Sequence, residues 1–107
     1  MSLVPRIIPS LLLDGKKLVK TIRFRSPIYI GDPINAVKIF NDKEVDEIAI
    51  FDIYAWKKGI QFDYLKEIYE EAFMPALYGG GVKTINDLEK VFMLGVEKVS
   101  LSSEAII

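Results

Sequence analysis

Residues 47–53 read Glu-Ile-Ala-Ile-Phe-Asp-Ile, a nearly continuous apolar run marked off by acids at 47 and 52. A strand with one wet face alternates apolar and polar residues; an unbroken run of this length is the pattern of a strand covered on both faces, as in a parallel sheet flanked by helices. The rest of the chain can be read outward from that strand.

Downstream, Asp63 is expected to cap a helix whose Tyr64, Leu65, Ile68 and Tyr69 share one face. Met74-Pro-Ala-Leu-Tyr78 gives a short strand that ends in Gly79-Gly80-Gly81. Thr84 can cap a further helix carrying Leu88, Val91, Phe92 and Leu94, with Gly95 suited to its left-handed end, and Lys98-Val-Ser-Leu101 follows as a strand. Upstream, Asp32-Pro33 supplies an N-cap and a proline at the first helical position, with Ala36, Val37 and Phe40 at helical spacing and an expected end near Lys43. Residues 6–13, Arg-Ile-Ile-Pro-Ser-Leu-Leu-Leu, read as the first strand and stop at the turn pair Asp14-Gly15. Leu18 to Phe24 alternates apolar and basic residues, which predicts a hairpin arm.

The string is βαβαβαβ, with strands expected near 6–13, 47–53, 74–78 and 98–101. Both an open doubly wound sheet and a (β/α) barrel fit it. Ser102-Ser103-Glu104 reads as the start of another helix, so the segment is expected to be a cut piece of a larger domain.

Composition narrows the chemistry. In 107 residues, half are apolar and 27% charged, the profile of a chain that buries a core. A net charge of −1 supplies no field to gather nucleic acid or an anionic membrane. The absence of cysteine and histidine removes disulfides, thiolate nucleophiles, imidazole bases and the usual zinc ligands, leaving acid-base work to carboxylates and lysines. No apolar run approaches the roughly 20 residues that span a bilayer, so a cytoplasmic setting is expected. No metal or organic cofactor is indicated.

Parallel α/β folds bind ligands beyond the carboxyl ends of their strands. The residues there are Leu12, Asp52, Gly79 to Gly81, and Ser102 with Ser103. Three glycines between a strand and a helix let backbone amides approach a phosphate, although a tight turn accounts for them equally. Ser102 and Ser103 could add donors to the same anion, or simply cap the next helix. Asp52 could act on substrate or cap a loop. Lys20 on the hairpin arm could reach the mouth, although an exposed lysine is usually only solubilising. At the opposite ends, Arg6, Glu47 and Lys98 each stand just before a strand and could form an alternating charged ring, or be three separate surface charges.

Taken together, Arg6-Ile-Ile-Pro, the Lys20 arm, Gly31-Asp32-Pro33, Val45-Asp46-Glu47 through Ile53, Gly79-Gly80-Gly81-Val82 and Gly95-Val-Glu-Lys-Val-Ser100 resemble the cyclase subunit of imidazole glycerol phosphate synthase. The resemblance covers nearly the whole chain. It implies the N-terminal (βα)4 half of a (β/α)8 TIM barrel of the ribulose-phosphate-binding type, as a single segment over residues 1–107. It also implies a lyase of histidine biosynthesis that receives ammonia through its barrel from a glutaminase partner and joins it to a bisphosphorylated ribonucleotide. By position, Gly81, Ser102 and Ser103 fall at a phosphate site, where the family usually has Asn then Thr in place of the two serines. Lys20 and Asp52 match substrate-side residues. Arg6, Glu47 and Lys98 match three of four residues of an ammonia gate.

One departure is chemical. The family's catalytic aspartate on the first strand is Leu12 here, the neighbouring cysteine is Ser10, and leucine cannot transfer a proton. A retained gate with a lost acid resembles the paralogous subunits of surface-polysaccharide pathways, which deliver ammonia for amidating a sugar. A third expectation is non-enzymatic: an inactive half-barrel whose exposed edges, the first and fourth strands, pair with a second copy.

Overall fold

The computed structural model describes residues 8–22, 31–102 and 105–106. Its elements are β1 (Ser10–Asp14), β2 (Lys17–Ile22), α1 (Pro33–Asp42), β3 (Ile48–Asp52), α2 (Ala55–Lys58), α3 (Phe62–Glu71), β4 (Ala76–Gly79), α4 (Ile85–Phe92), β5 (Lys98–Ser102) and β6 (Ala105–Ile106). They form one six-stranded sheet in the order β2-β1-β3-β4-β5-β6. The four central strands run parallel, and β2 and β6 close the two sides antiparallel. The fold is therefore α/β, with the strand order of the first four βα units of a (β/α)8 barrel.

Register explains how the sheet divides its side chains. Leu11 pairs with Ile50, Ile50 with Tyr78, and Tyr78 with Val99, so these four lie in one row, and all are 0% exposed. Side chains alternate along a strand, so Leu13, Ile48 and Ala76 join the same face. Helices α1, α3 and α4 cover that face with Val37 and Phe40, with Leu65, Ile68 and Tyr69, and with Val91. The opposite face carries two further rows, Ser10-Ala49-Leu77-Lys98 and Leu12-Phe51-Gly79-Ser100. Most of these residues are half-buried, while Ala49 and Gly79 are buried and Lys98 is exposed.

The helices start where local chemistry dictates. At α1 the Asp32 carboxylate accepts the Ile34 N–H at 3.0 Å, and Pro33 occupies the first turn, where its missing N–H costs nothing. At α4 the Thr84 hydroxyl accepts the Asp87 N–H at 3.0 Å, while the Asp87 carboxylate accepts the Lys83 N–H at 3.1 Å. The far ends of α1 and α3 are tied by Asn41, which donates to the Glu71 carbonyl and accepts the Phe73 N–H.

Several expectations need correction. Asp63 does not cap α3: Gln61 holds the N-cap position and Asp63 lies in the first turn, where its charge still complements the helix dipole. The one-turn α2 was not foreseen. Ser102 does not open a helix; it ends β5 and pairs with Ala105, and Ser103 and Glu104 lie outside the described residues. Nor are the first and fourth strands of the parallel series edges, because β2 covers β1 and β6 covers β5. Any strand pairing with a second copy would engage β2 or β6.

Ile50 sits in the middle of the fully buried row, so Ile50→Ala removes three carbons from a site that cannot collapse around the gap. A loss of about 2–5 kcal/mol in unfolding free energy is expected by urea denaturation. A loss below about 1 kcal/mol would mean that the helix face is loosely packed.

Candidate functional site

At the carboxyl ends of the parallel strands, the β4–α4 and β3–α2 turns lie against each other, and the glycines set how closely. A Cβ on Gly80 would stand 2.5 Å from the Asp52 carbonyl oxygen, and one on Gly81 would stand 2.8 Å from both Cβ and the carbonyl oxygen of Ala55. Both glycines have positive φ, +135° and +70°. A Cβ on Gly79 would meet the Phe51 ring at 2.7 Å, so that ring lies directly over the glycine on the open sheet face. The three glycines therefore have a packing reason of their own, independent of any ligand.

A cavity of about 340 Å³ opens between these turns, lined by Phe51, Ile53, Trp56, Gly79, Gly80 and Ser100 among others. At the N-terminus of α4 beside it, the Thr84 hydroxyl takes the Asp87 N–H and the Asp87 carboxylate takes the Lys83 N–H. Leu12 shares the row of Phe51, Gly79 and Ser100, and its antiparallel backbone partner is Lys20. The expected mouth residues Lys20, Leu12 and Gly79 thus fall, together with Ser100, on one line across the sheet. The side chains of Lys20 and Ser102, and all of Ser103 and Arg6, lie outside the described residues.

Asp52 has a different place from its neighbours in sequence. It pairs with Leu13, which puts it in register with the helix-facing side, and it is only 2% exposed. A buried carboxylate must be matched by donors. One oxygen accepts the Tyr54 N–H at 2.9 Å, and the other accepts Gln61 Nε2 at 2.9 Å. Gln61 Nε2 also donates to the Gly15 carbonyl at 2.7 Å, using both of its N–H bonds. Asp52 and Gln61 together fasten the β3–α2 turn to the β1–β2 hairpin. Sequence reading missed Gln61; the one available signal was that a buried acid at 52 would require a nearby amide.

Below Asp52, the Tyr78 hydroxyl donates to the Gly80 carbonyl at 2.9 Å. Burial pushes the Tyr78 phenol up, and the Asp52 carboxylate adds to the effect. Burial does the same to Tyr69, with Tyr78 as the second cause.

At the opposite ends of the strands, Glu47 and Lys98 come together: Nζ lies 3.9 Å from Oε1, with side-chain exposures of 7% for the acid and 50% for the base. Both stand on the open face by strand alternation, since 47 shares parity with Ala49, and Lys98 pairs with Leu77. The two expected gate residues that can be placed are an ion pair. Among the described residues there is no group of three acidic side chains that could hold a metal ion, and no helix long and apolar enough to cross a membrane.

Gly81→Ala forces a methyl into the Ala55 backbone at a left-handed φ, and should lower stability by about 1–3 kcal/mol and disturb the cavity. Wild-type stability in the variant would refute the close approach. Alkaline titration gives a second check. A phenol raised above its ordinary 10.0 favours the folded chain while it stays protonated, so that contribution is intact below pH 10 and declines as pH rises further. Tyr69 and Tyr78 should stay protonated beyond the ordinary phenol range in the folded chain, with stability falling above pH 10; ionisation of both with the chain still folded at about pH 10 would contradict the burial.

The family described as "Histidine biosynthesis protein" matches residues 6–107. The "Putative imidazole glycerol phosphate synthase subunit hisF2" of Pseudomonas aeruginosa is 52% identical over 103 residues, covering 94% of this chain and 41% of the relative. The "Putative imidazole glycerol phosphate synthase subunit hisF3" of Vibrio vulnificus is 52% identical over 100 residues, covering 92% and 38%. The "Imidazole glycerol phosphate synthase subunit HisF" of Syntrophobacter fumaroxidans is 38% identical over 104 residues, covering 95% and 40%. The chain spans about two fifths of the length of these curated relatives. It belongs to the histidine biosynthesis protein family, and its relatives there are named as HisF subunits of imidazole glycerol phosphate synthase.

Proposed function

We propose that this chain is part of the ammonia-accepting synthase subunit of a glutamine amidotransferase. In this reading it works in the cytoplasm beside a glutaminase subunit and binds a phosphorylated substrate at the carboxyl ends of its strands. The observation that carries the reading is that one sheet face has a charged pair, Glu47 and Lys98, at one end and the Leu12-Phe51-Gly79-Ser100 row with the glycine turn at the other.

The chemistry suits ammonia. As a neutral nucleophile it loses its lone pair when water protonates it, so it must travel through a space that water does not fill. Between the two ends the central strands β3 and β4 present Ala49 and Leu77, which offer no proton, with the Ser10 position beside them on β1. A nearly buried Glu47 held by Lys98 closes the entry to bulk water, and parting the pair opens it. On the substrate side, backbone amides of the glycine turn would meet a phosphate, with Gly81, Ser102, Ser103 and Lys20 as its proposed contacts. Asp52 would act as a positioning residue that holds the turn. Arg6 would complete the charged ring around Glu47 and Lys98.

Leu12 favours a second reading of the final step. The row position from which a strand-one acid would reach substrate is apolar, so this chain lacks that member of the cyclase acid-base pair. Delivery of ammonia to a separate acceptor, such as a sugar of a surface polysaccharide, requires no such acid. The relatives whose names begin "Putative", whether numbered or not, are 42–52% identical, against 35–38% for the HisF subunits named without that word, and this supports a branch set apart from the histidine enzyme.

Charge reversal tests the gate. In the complex with its glutaminase, Lys98→Glu should lower the rate of glutamine-dependent ammonia transfer by about tenfold or more, since two like charges would then face each other. Glu47→Lys combined with Lys98→Glu should recover most of the loss. Equal transfer in native and Lys98→Glu complexes would overturn the role of the pair.

A further inference from the structure

The large apolar side chains that stay exposed among the described residues gather at the two ends of the strands. Ile53, Tyr54, Trp56 and Ile85 stand at the carboxyl ends, and Ile8, Phe73 and Met93 at the opposite ends. None lies in the interior of α1, α3 or α4. Single exposed apolar residues are ordinary, whereas a contiguous group of them marks a surface that something covers.

The group at the carboxyl ends is contiguous because the glycine turn joins its two halves. Ala55, between Tyr54 and Trp56, lies against Gly81. From the other side, Lys83 Nζ donates to the Trp56 carbonyl at 2.9 Å and lies 5.7 Å from the centre of the indole ring. Two hollows open on this surface. One, of about 340 Å³, has Phe51, Ile53 and Trp56 in its walls; the other, of about 240 Å³, has Val82, Ile85 and Leu88, and Leu101 lines both. Neighbouring apolar hollows on a protein surface are suited to receive the anchoring side chains of a partner.

Charge narrows the kind of partner. Over residues 52–59 and 79–85 the basic groups are Lys57, Lys58 and Lys83, all exposed, while the single acid, Asp52, is buried and bonded to Tyr54 and Gln61. Neither Lys57 nor Lys58 forms an ion pair among the described residues. An apolar surface rimmed by lysines complements one rimmed by carboxylates. Ammonia supplies the reason for a seal: once it escapes into water it is protonated and no longer a nucleophile, so an exit that serves a separate acceptor must be capped by the protein that receives it.

We infer that the surface around Trp56 and Ile85 is the docking site of the ammonia-consuming enzyme, a second protein distinct from the glutaminase. Its contact surface presents apolar side chains to the two hollows and carboxylates to Lys57 and Lys58. This rests on the reading in which ammonia passes to a separate acceptor, and adds where that acceptor's enzyme binds and by what chemistry.

The test combines this protein with its glutaminase and with the enzyme that amidates the acceptor sugar, and supplies glutamine labelled at its amide nitrogen against excess unlabelled ammonium. Labelled nitrogen should predominate in the sugar product, and the acceptor enzyme should bind with an affinity that falls as salt rises. Ile85→Glu, at a position 71% exposed, and Lys57→Glu combined with Lys58→Glu should each weaken that binding about tenfold or more. Unlabelled nitrogen should then dominate the product, while glutamine hydrolysis and amidation by ammonium salt alone stay at their native rates. Native labelling and native affinity in both variants would overturn the docking surface and leave delivery to a separate acceptor standing. A dimer of this chain that Ile85→Glu dissolves, with no binding of the acceptor enzyme, would overturn it in favour of a second copy. No labelled sugar from the native proteins would overturn the delivery reading and the docking with it.

Discussion

The backbone of Gly80 and Gly81 passes so close to Asp52 and Ala55 that a single added carbon at either glycine would meet another atom at 2.5 to 2.8 Å. That approach determines the shape of the whole mouth. It seats the β3–α2 turn on the β4–α4 turn, brings Trp56 to the rim, and leaves the cavity between Phe51 and the indole. Asp52 fastens the same turn from the other side through Gln61 to the β1–β2 hairpin. A glycine run that looks like a phosphate cradle in sequence is therefore first a packing requirement, with Gly79 and Gly81 buried and Gly80 half-buried.

The sheet separates structure from chemistry by parity. Odd-numbered residues of β1 and even-numbered residues of β3 and β4 face the helices and make the core, while their neighbours face the open side. The open side has a charged pair at one end and an apolar row at the other. In that row the β1 position is Leu12, an apolar residue, while the acid of the same strand, Asp14, stands exposed at its end opposite Lys17. Proton transfer requires a titratable group within hydrogen-bonding reach, and nothing in the row of Leu12, Phe51, Gly79 and Ser100 supplies a carboxylate.

Much of this was legible in the sequence wherever the signal was local. The unbroken run at 48–51 revealed a buried parallel strand, and Asp32-Pro33 and Thr84 revealed where two helices begin, because caps and burial are written in adjacent residues. Signals that depend on register or on distant partners were not legible. Asp52 lies at the end of a strand, where the mouth is expected, but its parity turns it to the helix side, and only the pairing with Leu13 shows this. The turn Ala55–Lys58 has no side-chain cap and is four residues long, too short to leave a helical period. Ser102-Ser103-Glu104 looked like a cap because serine and glutamate suit one, yet Ser102 instead continues β5 and pairs with Ala105. Glu47 and Lys98, 51 positions apart, could be read as paired only through resemblance, and the structure places them 3.9 Å apart.

The most direct measurement is turnover of the bisphosphorylated ribonucleotide by the purified protein with ammonium salt as the nitrogen source, which bypasses the glutaminase and the gate. With leucine at position 12, formation of imidazole glycerol phosphate should stay at the uncatalysed background. Turnover at an ordinary enzymatic rate, about 1 per second or faster, would show that another group replaces the missing acid and would contradict the proposed delivery of ammonia without cyclisation.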